Sequence, residues 1–448
     1  MDRQHTHFGE PLQYLEDGLL LRRGKPEDAE QLFEFSRVEH SDDGVILADG
    51  IGYAVRDQVL GHRPGMDASY YTVVEDTASG AIVSCLCYVP HHMRLGNVDI
   101  LAGQVEFVST AKQYRRRGLI RRQIDIVHAW SRERGDLFTI INGIPWYYKK
   151  FGYEYALTFR RNYYGYVSQY PPLPAEQAEL FTFQPITAED EDFLYDLRQH
   201  AMRRYFITDP LSREQFHFDM FGRHIESFVN PAKFLIKNTE QQPVGALFHN
   251  RMLWGGMLTA TFFEVIPGVS WLAALPSALR FLVAQGAQIT AIDKLPLRAC
   301  GFRFGKTHPV FEVGDTLLPG VSPAWELYVR IPDVLAFFTA LQPMLEERIA
   351  QSVICGHSGE LRMHWYTGGV HIVLVHGKIN VLEAWSPENP DRGDAAFTAA
   401  ALYPMLMGER SYDELAAAQS DCWANSTAAR VLLRVLFPKQ NSNLYSFL

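Results

Sequence analysis

The chain has 448 residues, which at about 150 residues per domain points to three domains rather than one continuous core. Apolar residues make up 47% and charged residues 21%, with 33 Gly and 24 Pro, which excludes a disordered, collagen-like or disulfide-scaffold chain. The 42 Lys and Arg against 51 Asp and Glu leave a net charge of -9, so the chain as a whole is not built to coat nucleic acid or anionic lipid, and any basic patch is local.

Cysteines 85, 87, 300, 355 and 422 are few and odd in number. The one close pair, Cys85 and Cys87, cannot bridge, because alternate residues of a strand sit about two rises apart. A reducing compartment fits this usage. MDRQHTHFGEPLQ lacks the apolar core of a signal peptide, and no 18-residue uncharged apolar run follows. The expectation is a cytoplasmic protein, with no membrane partner and a short flexible tail over 1–17.

A first strand is expected over Gly18 to Arg22, followed by KPEDAEQLFEFSRV, where Pro26 opens a helix and Glu27 and Asp28 favour its positive end. YYTVVED from Tyr70 and AIVSCLCYVP from Ala81 read as a hairpin turned by TASG. Another strand runs from Val98 to about Thr110, and a helix from Gly118 to about Arg134 carries apolar residues at 119, 120, 124, 126, 127 and 130. LFTIING, an aromatic stretch PWYYKKFGYEYAL and a strand near FRRNYYGYV complete a mixed α/β unit.

YPPLPAEQ near Tyr170 is a proline-rich bridge of the kind that separates domains. Beyond it FTFQPITAEDEDFLYDLRQH repeats the pattern of LLLRRGKPEDAEQLFEFSRV, with the Glu-Asp pairs at 27/28 and 189/190 lying 162 residues apart. CGFRFG around Gly301 echoes FGYEY around Gly152 at a spacing of 149. Two echoes in one order suggest a duplicated domain. The last hundred residues differ: ELRMHWYTGGVHIVLVHGKINVLEAW reads as an antiparallel meander, and helices follow, one ending near Gly408, one opened by a capping box from Ser411 to Glu414, and one from Thr427 to Leu436.

VEFVSTAKQYRRRGLIRRQIDIVHAW carries the chemistry. It sets a strand, a basic bend, one glycine and a helix in succession, with six basic residues and no acidic one from Lys112 to Arg122. A helix start has unsatisfied N–H groups and a positive dipole end, so a basic first turn is unfavourable unless an anion compensates it. The pattern is a pyrophosphate cradle, and Gly118 lets a phosphate approach the backbone. A nucleic-acid patch is disfavoured by its place at a strand-to-helix joint. No GxxxxGK[ST] exists, and a single glycine excludes a dinucleotide fingerprint.

Arg115-x-x-Gly118-x-Ile120 after a strand resembles the acetyl-CoA pyrophosphate loop of GCN5-related N-acetyltransferases (GNAT), Q/R-x-x-G-x-G/A, with Ile120 departing from the small third position. RRRGLIR more closely resembles the loop of the enhanced intracellular survival (Eis) type. That resemblance implies an α/β (α+β) architecture of tandem GNAT folds, the second degenerate, followed by a sterol-carrier-protein-like α+β domain. On this chain the units fall at 18–170, 171–335 and 336–448. It implies acetyl-CoA as co-substrate, no metal, a small amine acceptor, and a homo-oligomer, a hexamer in the family; the negative net charge of the chain agrees with a polycationic acceptor.

Carried over by residue, Val108, Ser109 and Thr110 would meet the pantetheine arm; Arg116, Arg117, Gly118, Leu119, Ile120 and Arg121 would surround the pyrophosphate; and Asn142, Gly143 and Ile144 would line the splayed wall of the groove. The family's Y-x-x-F-G-Y falls on Tyr148 to Tyr153 and nominates Tyr148 as general acid, with Tyr147 and Tyr153 as rivals. The family also uses its terminal carboxylate as proton acceptor, which here is that of Leu448. Glu106, on the strand beside the groove and of the same parity as Val108, is the alternative base. The equivalent joint of the second copy, from Thr259 to Leu279, has Gly268 but no basic residue, so one cofactor site per chain is expected, with 171–335 shaping the acceptor pocket. The competing reading is a carrier of apolar ligands built on inactive acetyltransferase folds, for which a basic 115–121 loop would have no use.

Overall fold

The structure, a computed structural model, describes residues 7–41, 48–159, 161–289, 291, 294–305, 307–323, 325–442 and 444. Three sheets organise them, of nine, seven and five strands. In the first, Leu19–Arg23, Tyr71–Asp76, Ala81–Leu95 and Val98–Thr110 run antiparallel in succession, and Phe138–Ile141 then lies parallel to Val98–Thr110 after the helix Leu119–Arg134. The second sheet repeats this order: Ala232–Lys237, Pro243–His249 and Met257–Val265 are antiparallel, and Ala299–Arg303 joins Met257–Val265 in parallel after the helix Trp271–Gly286. The two halves are thus tandem copies of one mixed α/β fold, followed by a third unit.

The first echo in the sequence marks equivalent places. Asp28 accepts from the Lys25 N–H and Asp190 from the Thr187 N–H, at 2.9 and 2.8 Å, each holding the turn that opens a helix. The second echo does not. Gly152, at φ +84°, follows a 3-10 turn, whereas Gly301 lies inside the strand Ala299–Arg303.

The copies exchange strands. Trp325–Arg330 inserts between Phe138–Ile141 and Glu154–Phe159 of the first sheet, while Asn162–Tyr166 pairs with Ala299–Arg303 of the second. Asn162–Tyr166, which precedes the proline-rich bridge, thus joins the sheet of the second copy, and Trp325–Arg330, which follows it, joins that of the first. Ile207–Thr208 adds a further link by pairing with the end of Ala81–Leu95.

The third unit is the meander Gly359–His364, Gly369–Val375 and Lys378–Ala384 with its helices. Ser411 and Glu414 form the capping box, Oγ accepting from the Glu414 N–H at 3.2 Å and Oε2 from the Ser411 N–H at 2.9 Å. Its core is continuous with one face of the first sheet, where Phe337, Phe338 and Leu345 pack in one buried cluster with Ile100, Phe138 and Leu157. The chain near its end returns to the copies: the Asn441 carbonyl accepts from the Phe206 N–H at 2.7 Å, and Leu444 is buried. Leu448 lies outside the described residues. All five cysteines are free.

A helix absent from the sequence reading spans Asp49–Val59. Gly50 and Gly52 lower its intrinsic propensity, but a Cβ at Gly52 would press on the Phe33 ring and one at Gly50 on the Phe228 backbone. Close packing selects these glycines.

Candidate active site

Val98–Thr110 carries the site because its ladder breaks. Cys87 pairs with Glu106 and Cys85 with Ser109, so Phe107 and Val108 together face Leu86, and Phe107 adopts φ +53°. This is a β-bulge, which unpairs backbone groups and re-aims side chains. The parity expected to put Glu106 and Val108 on one face fails for this reason. Val108 lines a groove of about 780 Å³, whereas Glu106 lines a separate cavity of about 240 Å³.

The parallel pairing with Phe138–Ile141 ends at Val105 and Ile141, and the two strands part beyond it. Tyr148 sits beside the opening, its ring buried among Tyr147, Phe151, Tyr153 and Tyr328. A Cβ at Gly143 would overlap the Tyr148 ring, so glycine is required there by the tyrosine. Tyr153 is committed elsewhere, its hydroxyl lying 3.0 Å from Thr139 Oγ1 and 3.1 Å from His128 Nε2. Tyr147 lines the groove beside Tyr148.

The groove is lined by Val108, Ser109, Thr110, Arg116, Arg117, Gly118, Leu119, Ile120, Arg121, Ile144, Tyr147 and Tyr148, among others. Asn142 instead lines the smaller cavity, its Oδ1 accepting from Trp325 Nε1 at 2.7 Å. Gly118 precedes the helix with φ +74°, no side chain caps the helix start, and a Cβ at Gly118 would meet no atom within 4 Å. The first turn's N–H groups thus face open groove. Arg115 is tied to Glu39 and the Thr110 carbonyl at 2.9 Å each, and Arg117 to Asp17. Arg116 and Arg121 have no carboxylate partner among the described residues. In the second copy the Ser270 side chain accepts from the Ala273 N–H, so the equivalent helix start is filled by its own cap.

Glu106 is buried and accepts a hydrogen bond from Gln104 Nε2, while Gln104 Oε1 lies 2.8 Å from His91 Nε2. Burial pushes the Glu106 carboxyl up to about 8, against the opposing pull of the Gln104 amide and the nearby Arg63 guanidinium. Burial, and then the Glu106 charge, raise the Tyr148 hydroxyl, which therefore keeps its proton at neutral pH. A protonated phenol on the groove side and a carboxyl poised near neutrality on the other side stand at one strand break. Sequence reasoning expected 171–335 to shape the acceptor pocket but named none of the residues the second copy contributes to the smaller cavity, among them Arg198, Arg223, Lys233 and Arg303. These residues belong to no local motif.

The fold has counterparts. Residues 46–156 match the family model of the acetyltransferase (GNAT) domain, a family that uses acetyl-CoA as co-substrate. The whole chain is similar to a GCN5-related N-acetyltransferase from Kribbella flavida (15% identity, TM-score 0.62, covering 96% of this chain and 98% of that one). It is also similar to one from Anabaena variabilis (14%, 0.63, 96% and 100%). Eis1 from Mycobacterium abscessus is similar over 98% of this chain and 99% of its own, at 11% identity and a TM-score of 0.57. At these identities the likeness is one of fold. No curated protein matches the sequence. Among the described residues no helix is long and apolar enough to cross a membrane, and no group of three or more His, Cys, Asp or Glu is placed to hold a metal.

Proposed function

We propose that the chain is an acetyl-CoA-dependent N-acetyltransferase of the Eis type that transfers acetyl directly to an amine, with one site per chain, in the first copy. The observation that carries this reading is the bulge at Phe107, which sets Val108 on the anion-ready groove and Glu106 on a second cavity lined also by the second copy. The groove fits the diphosphate chemically: exposed N–H groups follow Gly118, and Arg116 and Arg121 lack carboxylate partners among the described residues. When bound, acetyl-CoA supplies an acetyl group as a thioester, whose C–S bond breaks as the amine nitrogen forms the new C–N bond.

The residues of the chain manage two protons. Glu106 takes the proton that the amine sheds, and Tyr148 gives its hydroxyl proton to the departing sulfur. Backbone groups freed by the bulge at Val108 are available to the acetyl oxygen and the pantetheine arm. Asn142 belongs on the acceptor side. The resemblance makes the Leu448 carboxylate the base; it lies outside the described residues, and a chain lengthened beyond Leu448, which moves that carboxylate away, separates it from Glu106. The unit after about 335 is read as sterol-carrier-like and the assembly as a hexamer on the resemblance, the latter checked by light scattering.

The direct test is release of free thiol from acetyl-CoA across a broad amine panel, with acetyl-CoA binding measured by calorimetry. Binding with zero turnover throughout would favour the scaffold reading.

A further inference from the structure

The cavity beyond Glu106 lies between the copies and has a pronounced charge imbalance. Among the described residues, Arg198, Arg223, Lys233 and Arg303 line it, against the carboxyls of Glu106 and Asp219. Arg198 is matched by Asp209 at 3.0 Å and Arg223 by Asp219 at 2.6 Å. Lys233 and Arg303 have no carboxylate partner among the described residues. Lys233 Nζ donates to the Met220 carbonyl at 3.0 Å and to Asn230 Oδ1 at 2.5 Å, and Arg303 Nε to Asn162 Oδ1 at 3.4 Å. Beside Lys233, Arg251 donates to the carbonyls of Asn230 and Pro231.

Buried cations without counter-charge are costly unless an anion joins them. The strain is visible at Lys233, which burial and the neighbouring Arg223 and Arg251 push down to about 7. The rest of the wall is aromatic, with Phe159, Phe216, Phe248 and Phe262. A polycation would enter against Lys233 and Arg303, the two that no carboxylate matches among the described residues.

We infer that the acceptor is an amine that also carries a carboxylate and a small apolar side chain: its amine meets Glu106, and its carboxylate meets Lys233 and Arg303 on the wall of the second copy. This refines the proposed transferase reading and rests on it. It replaces the polycationic acceptor expected from the overall negative charge of the chain, because the local field of the cavity, not the net charge, selects the ligand.

The test uses the full chain and the N-acetyl derivatives of phenylalanine, leucine and methionine, each beside its uncharged amide. At least one acid should bind ten-fold or more tighter than its amide by calorimetry. Arg303→Gln and Lys233→Gln should each erase most of that ratio, with acetyl-CoA affinity and melting temperature unchanged. Amides binding as well as acids throughout, or a ratio that survives both variants, would overturn the inference. Thiol release with the free amino acids, their amides and spermidine is the second arm. Preferential turnover of spermidine or the amides overturns the acidic acceptor and leaves the transferase standing. Tight binding of the acids with no thiol release from any amine overturns the transferase reading instead.

Discussion

Glu106→Gln isolates the proton acceptor, because glutamine keeps the shape of the side chain and can still hydrogen-bond to Gln104 while losing all basicity. With its carboxyl near 8, Glu106 is about one-tenth ionised at pH 7, so wild-type kcat/KM should climb roughly ten-fold between pH 7 and 9 as the base form fills. The variant should lose on the order of 10²- to 10⁴-fold in kcat at the plateau, retaining only the titration of the acceptor's own amine. Stability supplies an independent reading. The folded protein holds this proton to a higher pH than the unfolded chain does, so the unfolded state binds fewer protons between the ordinary carboxylate value and about 8. Native stability therefore falls as pH rises through that window, by an amount on the order of 5 kcal/mol once ionisation is complete. The glutamine variant is spared this loss, and urea unfolding at pH 6 and pH 9 should show its advantage over wild type growing with pH. A plateau kcat within a factor of about three of wild type would refute Glu106 as the base. If a chain lengthened beyond Leu448 then lost the alkaline limb, the terminal carboxylate would take its place.

The other predictions concern the groove. Tyr148→Phe should cut kcat by about 10²-fold or more and leave the calorimetric affinity for acetyl-CoA unchanged; a normal kcat would move the acid to Tyr147, which lines the groove beside it. Gly118→Asp should abolish acetyl-CoA binding. No atom lies within 4 Å of its Cβ, so the cause is the φ of +74° together with a negative charge where the diphosphate belongs, and unchanged binding would remove the cofactor assignment. Gly143→Ala should destabilise the fold by about 1–3 kcal/mol, read by denaturant midpoint, and lower kcat by displacing the Tyr148 ring; retention of both would mean that the ring moves without consequence.

Much of the site was legible because its signals are local. The basic run around Gly118 lies within eleven residues, and its meaning follows from what any helix start needs; the capping box at Ser411 and the glycine turns of the meander are read by near neighbours along the chain. The helix Asp49–Val59 was hidden because Gly50 and Gly52 answer to Phe33 and Phe228, residues that only packing brings near.

The sequence by itself determined the duplicated α/β plan, the third unit and the candidate anion cradle, since periodicity, capping and the charge of one short segment are properties of contiguous residues. Only the tertiary structure decided that the copies exchange strands, that a bulge at Phe107 parts Glu106 from Val108, and that Lys233 and Arg303 join Glu106 around one cavity. Those outcomes depend on hydrogen-bond register and on cations brought together from distant segments, and neither leaves a pattern that can be read along the chain.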